Sequence, residues 1–256
     1  MMKTLNKAVA IAMLMVGSQV AMADITNTIG IGYENASWDE YISGTKVVHE
    51  HGPRITFTDT LAYKLGRYDS WTSFKYFKST SMTYDGQTMG GTPVSTDVDY
   101  NGFDLDTNIA YPVGVQSRVL AGLGVKSWSR EIKNPAGTQK EDYTSWYVKA
   151  GMDYKFFPEL TVSAVAKLPF YTTEDAHFGD FGAENNPALK PKATLGALLE
   201  AKYQLHDNMN IAAYYDYTKF NQSSDVTLDF GGGATATAYQ PKSVEKLLGV
   251  RLDYRF

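Results

Sequence analysis

Two short acidic motifs and a pair of histidines are the residues of this chain best suited to chemistry. Asp97-Val-Asp99 and Asp175-Ala-His177 each place two polar groups at positions i and i+2. On an extended strand such groups project to the same side. A carboxylate can orient an imidazole, and an imidazole facing an acidic pair can position and deprotonate water. If the two motifs converge, Asp97, Asp99, Asp175 and His177 form a candidate hydrolytic site. His49-Glu50-His51 offers two imidazoles on one side of a strand. Zinc needs three or four ligands, and no further ligands are evident, so a solvated loop is the expectation there, with no metal and no cofactor.

Several classes of function fall away quickly. The chain has no cysteine, which removes thiolate ligands, thiol nucleophiles and disulfides. It has no Gly-x-Ser-x-Gly nucleophile motif and no dinucleotide-binding fingerprint. Its net charge of -4 argues against a nucleic-acid partner, which usually meets a basic stripe. The mean hydropathy of -0.30 argues against helical membrane spans, each of which needs about 20 apolar residues in a row.

The elements that must carry these residues are strands. Tight turns at Gly66-Arg67-Tyr68-Asp69, Pro112-Val113-Gly114, Phe157-Pro158-Glu159 and His206-Asp207-Asn208 recur at roughly 45 to 50 residues. Each interval holds a strand, a longer polar loop and a returning strand. From Leu160 to Phe170 the apolar residues Leu160, Val162, Ala164, Ala166, Leu168 and Phe170 share one face. From Leu195 to Leu205 the same alternation repeats. Period 2 means one apolar and one polar face per strand, and segments of about ten residues suit a tilted membrane strand. The pattern predicts ten strands, near 25–35, 53–65, 70–81, 98–111, 115–130, 143–156, 160–171, 193–205, 209–220 and 243–256. The fold class is all-β: a transmembrane up-and-down antiparallel barrel, with eight or twelve strands as alternatives. External loops are expected near 36–52, 82–97, 131–142, 172–192 and 221–242.

The N-terminus reads as an address. Lys3 and Lys7 precede an apolar run from Ala8 to Val16, and Ala21-Met22-Ala23 is a small-x-small cleavage site. Residues 1–23 are therefore expected to be a signal peptide, leaving residues 24–256 as one barrel domain.

The final strand carries a family resemblance. Val250, Leu252, Tyr254 and Phe256 alternate up to a terminal aromatic. This resembles the C-terminal strand of bacterial outer-membrane β-barrel proteins. The resemblance implies an outer-membrane location, with Tyr254 and Phe256 read by the barrel assembly machinery. Further partners would be outer-membrane lipid and lipopolysaccharide, and a host or surface ligand reached through the loops of a monomer. Tyrosines and phenylalanines near the strand ends suit interfacial girdles.

With Tyr254 facing lipid, parity turns Asp104, Asp106, Arg118, Lys126, Lys149, Lys167, Glu200, Asp216, Glu245 and Arg251 inward. A ten-stranded barrel is little wider than those that side chains fill, so a largely filled, charged lumen is expected. Two residues resist the pattern. Asp59 shares the lipid-facing parity of Phe57 and Leu61 unless a bulge near 58–60 turns it inward. Trp128 falls inward near the loop rim, where parity can break.

The best functional expectation is a structural or surface-interaction, adhesion-like role rather than an enzyme. A narrow channel for ions or small solutes is the first alternative. The second follows from a likeness to the omptins, outer-membrane proteases with ten-stranded barrels. In strand order, Asp97/Asp99 and Asp175/His177 are similar to the acidic pair and Asp-His pair that face each other across the omptin mouth. The likeness is confined to those four residues.

Overall fold

A computed structural model describes residues 25–87, 91–134 and 137–256. The expected leader, residues 1–23, lies outside them. In chain order the strands are β1 (Thr26–Ile42), β2 (Thr45–Leu65), β3 (Tyr68–Ser79), β4 (Met82–Gln87), β5 (Pro93–Pro112), β6 (Ser117–Asn134) and β7 (Gly137–Lys155). There follow β8 (Leu160–Asp175), β9 (Lys192–Ala193), β10 (Gly196–His206), β11 (Met209–Asn221), β12 (Val226–Asp229), β13 (Thr235–Ala238) and β14 (Lys242–Arg255).

Consecutive strands pair antiparallel, and β1 pairs with both β2 and β14, which closes the cylinder. β3 and β4 lie end to end between β2 and β5 and act as one staggered strand, so the barrel has ten. Closure leaves no unpaired edge, the condition for a sheet in hydrocarbon. β9 extends the edge beside β11, and β12 and β13 form a separate hairpin.

The alternation of sequence becomes alternation of environment. On β1 Gly32 and Glu34 point inward, while Ile31 and Tyr33 are exposed outside. On β14 Leu248, Val250, Leu252 and Tyr254 face out, and Gly249, Arg251 and Asp253 face in. Such a wall presents an apolar band to lipid.

Three of the expected loops are instead mostly strand. Residues 36–52 complete β1 and begin β2, joined by Ser43 and Gly44 alone, at φ 50° and 84°. Positive φ at both central positions gives the turn whose twist matches the flanking strands. Residues 82–87 and 93–97 likewise lie in β4 and β5, and residues 131–134 and 137–142 in β6 and β7. Above the lipid band the outer face of these strands is largely polar and the inner face mixes charged residues with buried apolar ones such as Trp38, Met82 and Ile132, so the hydropathy signal weakens while the hydrogen-bonded ladder persists. Long connections remain at 176–191, which includes a 3-10 turn at Phe178–Phe181, and at 222–241.

No bulge near 58–60 turns Asp59 inward. β2 keeps unbroken register with β1 and β3 through Asp59, which sits between Ile29 and Phe74 on the outward side. Its Oδ1 is buried with no hydrogen-bond partner. Parity also holds at Trp128, which points inward and is buried.

Candidate functional site

The interior is the most densely functionalised region, and it changes character from end to end. At the periplasmic end a cavity of about 370 Å³ is lined by Arg118, Asp153, Glu159, Lys202, Gln204 and Asn210 among others. Arg118 holds Asp69 at 3.1 Å and Asp153 at 2.6 Å there.

The middle of the barrel is a closed ionic network. Arg54 donates to Glu34 at 2.8 Å and to Glu245 at 3.3 Å. Glu34 also accepts from Lys75 at 3.0 Å and from the Tyr214 hydroxyl at 2.7 Å, and Glu245 also pairs with Lys126. Lys167 meets Asp216 at 2.8 Å, and Lys149 meets Asp106 at 3.0 Å. The Tyr147 hydroxyl donates to Asp104 at 2.6 Å. Arg251 bridges Asp253 at 2.6 Å and Glu200 at 3.4 Å. Glu34 and Arg54 are 0% and 1% exposed, so no water reaches them. Buried charges survive only when paired and hydrogen-bonded, and here each cation touches at least one carboxylate. Gly249 makes room for this packing: a Cβ there would lie 2.4 Å from the Tyr214 ring.

Toward the extracellular end an aromatic layer crosses the lumen. Trp128 stacks on Tyr143 with centroids 4.7 Å apart, and Trp38 lies against Tyr143 and Phe220 at 5.7 and 6.1 Å. Lys126 sits over the Trp128 ring at 5.0 Å and ties this layer to the network below.

Beyond it lies an acidic chamber. Glu40, Glu50 and Glu141 surround Arg130, with Glu40 at 3.1 Å and Glu141 at 2.6 Å. Tyr100 donates to Glu50, Trp38 Nε1 to Glu40 at 2.9 Å and Tyr143 to Glu141 at 2.8 Å. A fourth carboxylate, Glu174, is 1% exposed, and its Oε2 has no hydrogen-bond partner. Burial, then repulsion from Glu141 and Glu40, pushes Glu174 well above the usual carboxylate range. Burial also raises Glu50, despite the Arg130 guanidinium beside it.

Two connections cap the chamber. Leu189 pairs through its backbone with Glu174 in both directions at 2.9 Å. Asn185 joins 176–191 to the β12–β13 hairpin through the Thr227 carbonyl and the Asp229 amide. Gln240 donates to Glu40 at 3.2 Å.

The residues first considered for catalysis lie elsewhere. Asp97 and Asp99 have the outward parity of β5, and Asp99 pairs with Lys133. Asp175 caps the chain beyond β8, accepting from the His177 amide at 3.0 Å and from Asn186 at 2.7 Å. His177 Nε2 lies 2.8 Å from Asp142, on β7. Burial raises the Asp142 carboxyl, but the Ser129 hydroxyl and His177 outweigh it and hold the group below its ordinary value. The two motifs stand on β5 and at the end of β8, with β6 and β7 between them, and Asp97, Asp99 and Asp175 have the outward parity of their strands. His49 and His51 stack at 4.8 Å outside the barrel, and no group of three or more metal-ligating side chains forms among the described residues.

Sequence reasoning missed Glu34, Arg54 and Lys75, and the whole acidic chamber. Glu34 shares the inward parity of Gly30 and Gly32, a signal available in the sequence. Glu50 and Arg130 lie in stretches where the outer face is polar and the inner face mixes charged and apolar residues, so the alternation is weak.

Residues 8–187 match the family model described as the outer membrane protein beta-barrel domain. The chain belongs to this family. As an outer membrane β-barrel it carries the apolar exterior and charged interior that the location demands. No curated protein sequence matches it. Among solved structures it is similar to the outer membrane protease OmpT from Escherichia coli, at 11% identity and a TM-score of 0.57, covering 93% of this chain and 99% of that one. An outer membrane channel from Pseudomonas putida F1 shares 10% identity at a TM-score of 0.48, covering 94% of this chain and 98% of that one. The translocator domain of the autotransporter NalP from Neisseria meningitidis shares 13% at 0.47, covering 99% and 96%. Identities this low describe the fold of an outer membrane barrel and nothing finer.

Proposed function

We propose that this outer membrane barrel is a non-conducting structural and surface-interaction protein. It would be a monomer, exported by a leader cleaved after residue 23, and inserted by the assembly machinery through Tyr254 and Phe256. The observation that carries the reading is the closed middle of the lumen, where Glu34, Arg54 and Phe77 are at most 1% exposed. An ion crossing there would have to break several buried charge pairs at once, each costly to separate. A ligand would be met at the outer end, by the connections 176–191 and 222–241.

Planar-bilayer recording of the purified protein tests this directly. The expectation is a flat baseline at applied voltages, and reproducible unitary steps would replace the reading with a narrow channel. The protease reading is separable. Whole cells bearing the protein should cleave no peptide in a manner that depends on His177. Cleavage by the parent that is lost in His177→Ala would make it a surface hydrolase.

A further inference from the structure

The outer wall just above the apolar band is electrostatically lopsided. Across β5 to β8 it carries Asp97, Asp99, Glu131, Asp142 and Asp175 against two lysines, Lys133 and Lys140. Across β14, β1 and β2 it carries cations gathered around one acid. Asp39, 1% exposed, accepts from Lys46 at 2.9 Å, Lys246 at 3.0 Å and His49 at 2.7 Å. His51 stacks on His49, and Lys242 lies 5.2 Å from the Tyr41 ring. Burial pushes Asp39 up, yet Lys46, His49 and Lys246 outweigh it and pull the carboxyl down to about 2.

Asp39 is a hub rather than a neutralising partner. Both lysines around it keep substantial exposure, at 45% for Lys46 and 40% for Lys246. An ammonium has three donors, and Asp39 takes one from each. Each ammonium keeps donors to spare on an exposed side chain already held in place, so the entropy of fixing two long chains is largely spent before a ligand arrives. Immediately below lie the exposed apolar side chains of Tyr33, Ile55 and Leu248. In register, Leu248 faces Asn35 one step beneath Lys246 and Ser37. A phosphate beside apolar chains is the chemistry that fits both levels.

We propose that this face of β14, β1 and β2 binds the phosphate groups of an outer-leaflet phosphoglycolipid, with Lys46 and Lys246 as the donors and Asp39 positioning them. The site goes beyond the proposed function and is independent of whether the lumen conducts, since it lies on the outer wall.

The experiment titrates the folded, full barrel in detergent with bis-phosphorylated lipid A, counting bound lipid by native mass spectrometry. Lys46→Gln/Lys246→Gln should weaken binding about tenfold, consistent with the contribution of basic residues near anionic lipid. Lys133→Gln/Lys140→Gln, on the acidic face, should leave it unchanged. Retained heat-modifiable gel migration shows that each variant is folded, and Lys246→Gln alone replaces the double variant if that fails the check. Equal binding by parent and Lys46/Lys246 variant overturns the proposal. So does equal binding of dephosphorylated lipid A. Displacement of the lipid by an equal concentration of inorganic phosphate would also overturn it, by marking a free-anion site.

Discussion

The middle of the lumen and the chamber above it are both packed with ionisable groups, yet they solve different problems. In the middle, Arg54, Lys75, Lys126 and Lys167 interleave with Glu34, Glu245, Asp104 and Asp216, and Arg54, Glu34 and Glu245 each keep a second charged partner when one is lost. Above the aromatic layer, three glutamates share Arg130, and Glu174 adds a fourth carboxylate with no ion pair of its own among the described residues. A balanced network can stay fully ionised in a dry interior, whereas an unbalanced one must hold protons. The first makes a rigid post, and the second makes the outer end sensitive to pH.

The largest expected effect comes from removing the lone cation. Arg130→Met leaves Glu40, Glu50 and Glu141 without a counter-charge and should cost about 4 kcal/mol in denaturant unfolding from micelles. Arg54→Met should cost about half as much, because Lys75 and Tyr214 still hold Glu34 and Lys126 still holds Glu245. Equal losses would break the contrast. Next comes the boundary layer: Trp128→Ala should cost about 3 kcal/mol through the cavity it leaves between Trp38, Tyr143 and Phe220. A loss under about 1 kcal/mol would mean that the layer is loosely packed.

Protonation sharpens the comparison further. Glu174 is raised in the folded state, so its contribution to stability is fully present below its ordinary value of 4.5 and is lost as pH rises through the higher folded value. Parent stability should therefore fall as pH rises above about 4.5. Glu174→Gln should flatten that slope. An unchanged slope in the variant would locate the titration elsewhere. The smallest effect lies outside both regions: Asp59→Leu should stabilise the barrel by about 1 kcal/mol, since it removes an unpartnered carboxylate from the lipid face. Destabilisation would mean that Asp59 has a partner in the membrane.

The sequence was readable where the two faces of a strand differ. Leu160 to Phe170 and Val250 to Phe256 declare both the strand and its orientation, because lipid and lumen impose opposite demands on neighbouring residues. From Ser37 to His51 the outer face meets water and headgroups while the inner face carries Glu40 and Glu50, so hydropathy shows nothing to distinguish strand from loop. That same loss of contrast hid Glu50, Arg130 and Glu141 as inward residues. Asp97/Asp99 and Asp175/His177 illustrate the converse. Local spacing offered plausible chemistry, but the sites are decided by which side of the wall each strand presents.

The two-residue turn at Ser43 and Gly44 has a consequence for how the molecule is met from outside. β2 runs from Pro53, at the top of the apolar band, to Thr45 without interruption. At about 3.3 Å per residue and a tilt near 40°, that raises the turn roughly 20 Å above the hydrocarbon. On this flank an antibody or a phage would encounter stiff sheet standing in the sugar layer, with scarcely any loop to remodel. Sequence drift under such selection should concentrate in 176–191 and 222–241, where insertions can lengthen the chain without shifting the register of a single barrel strand.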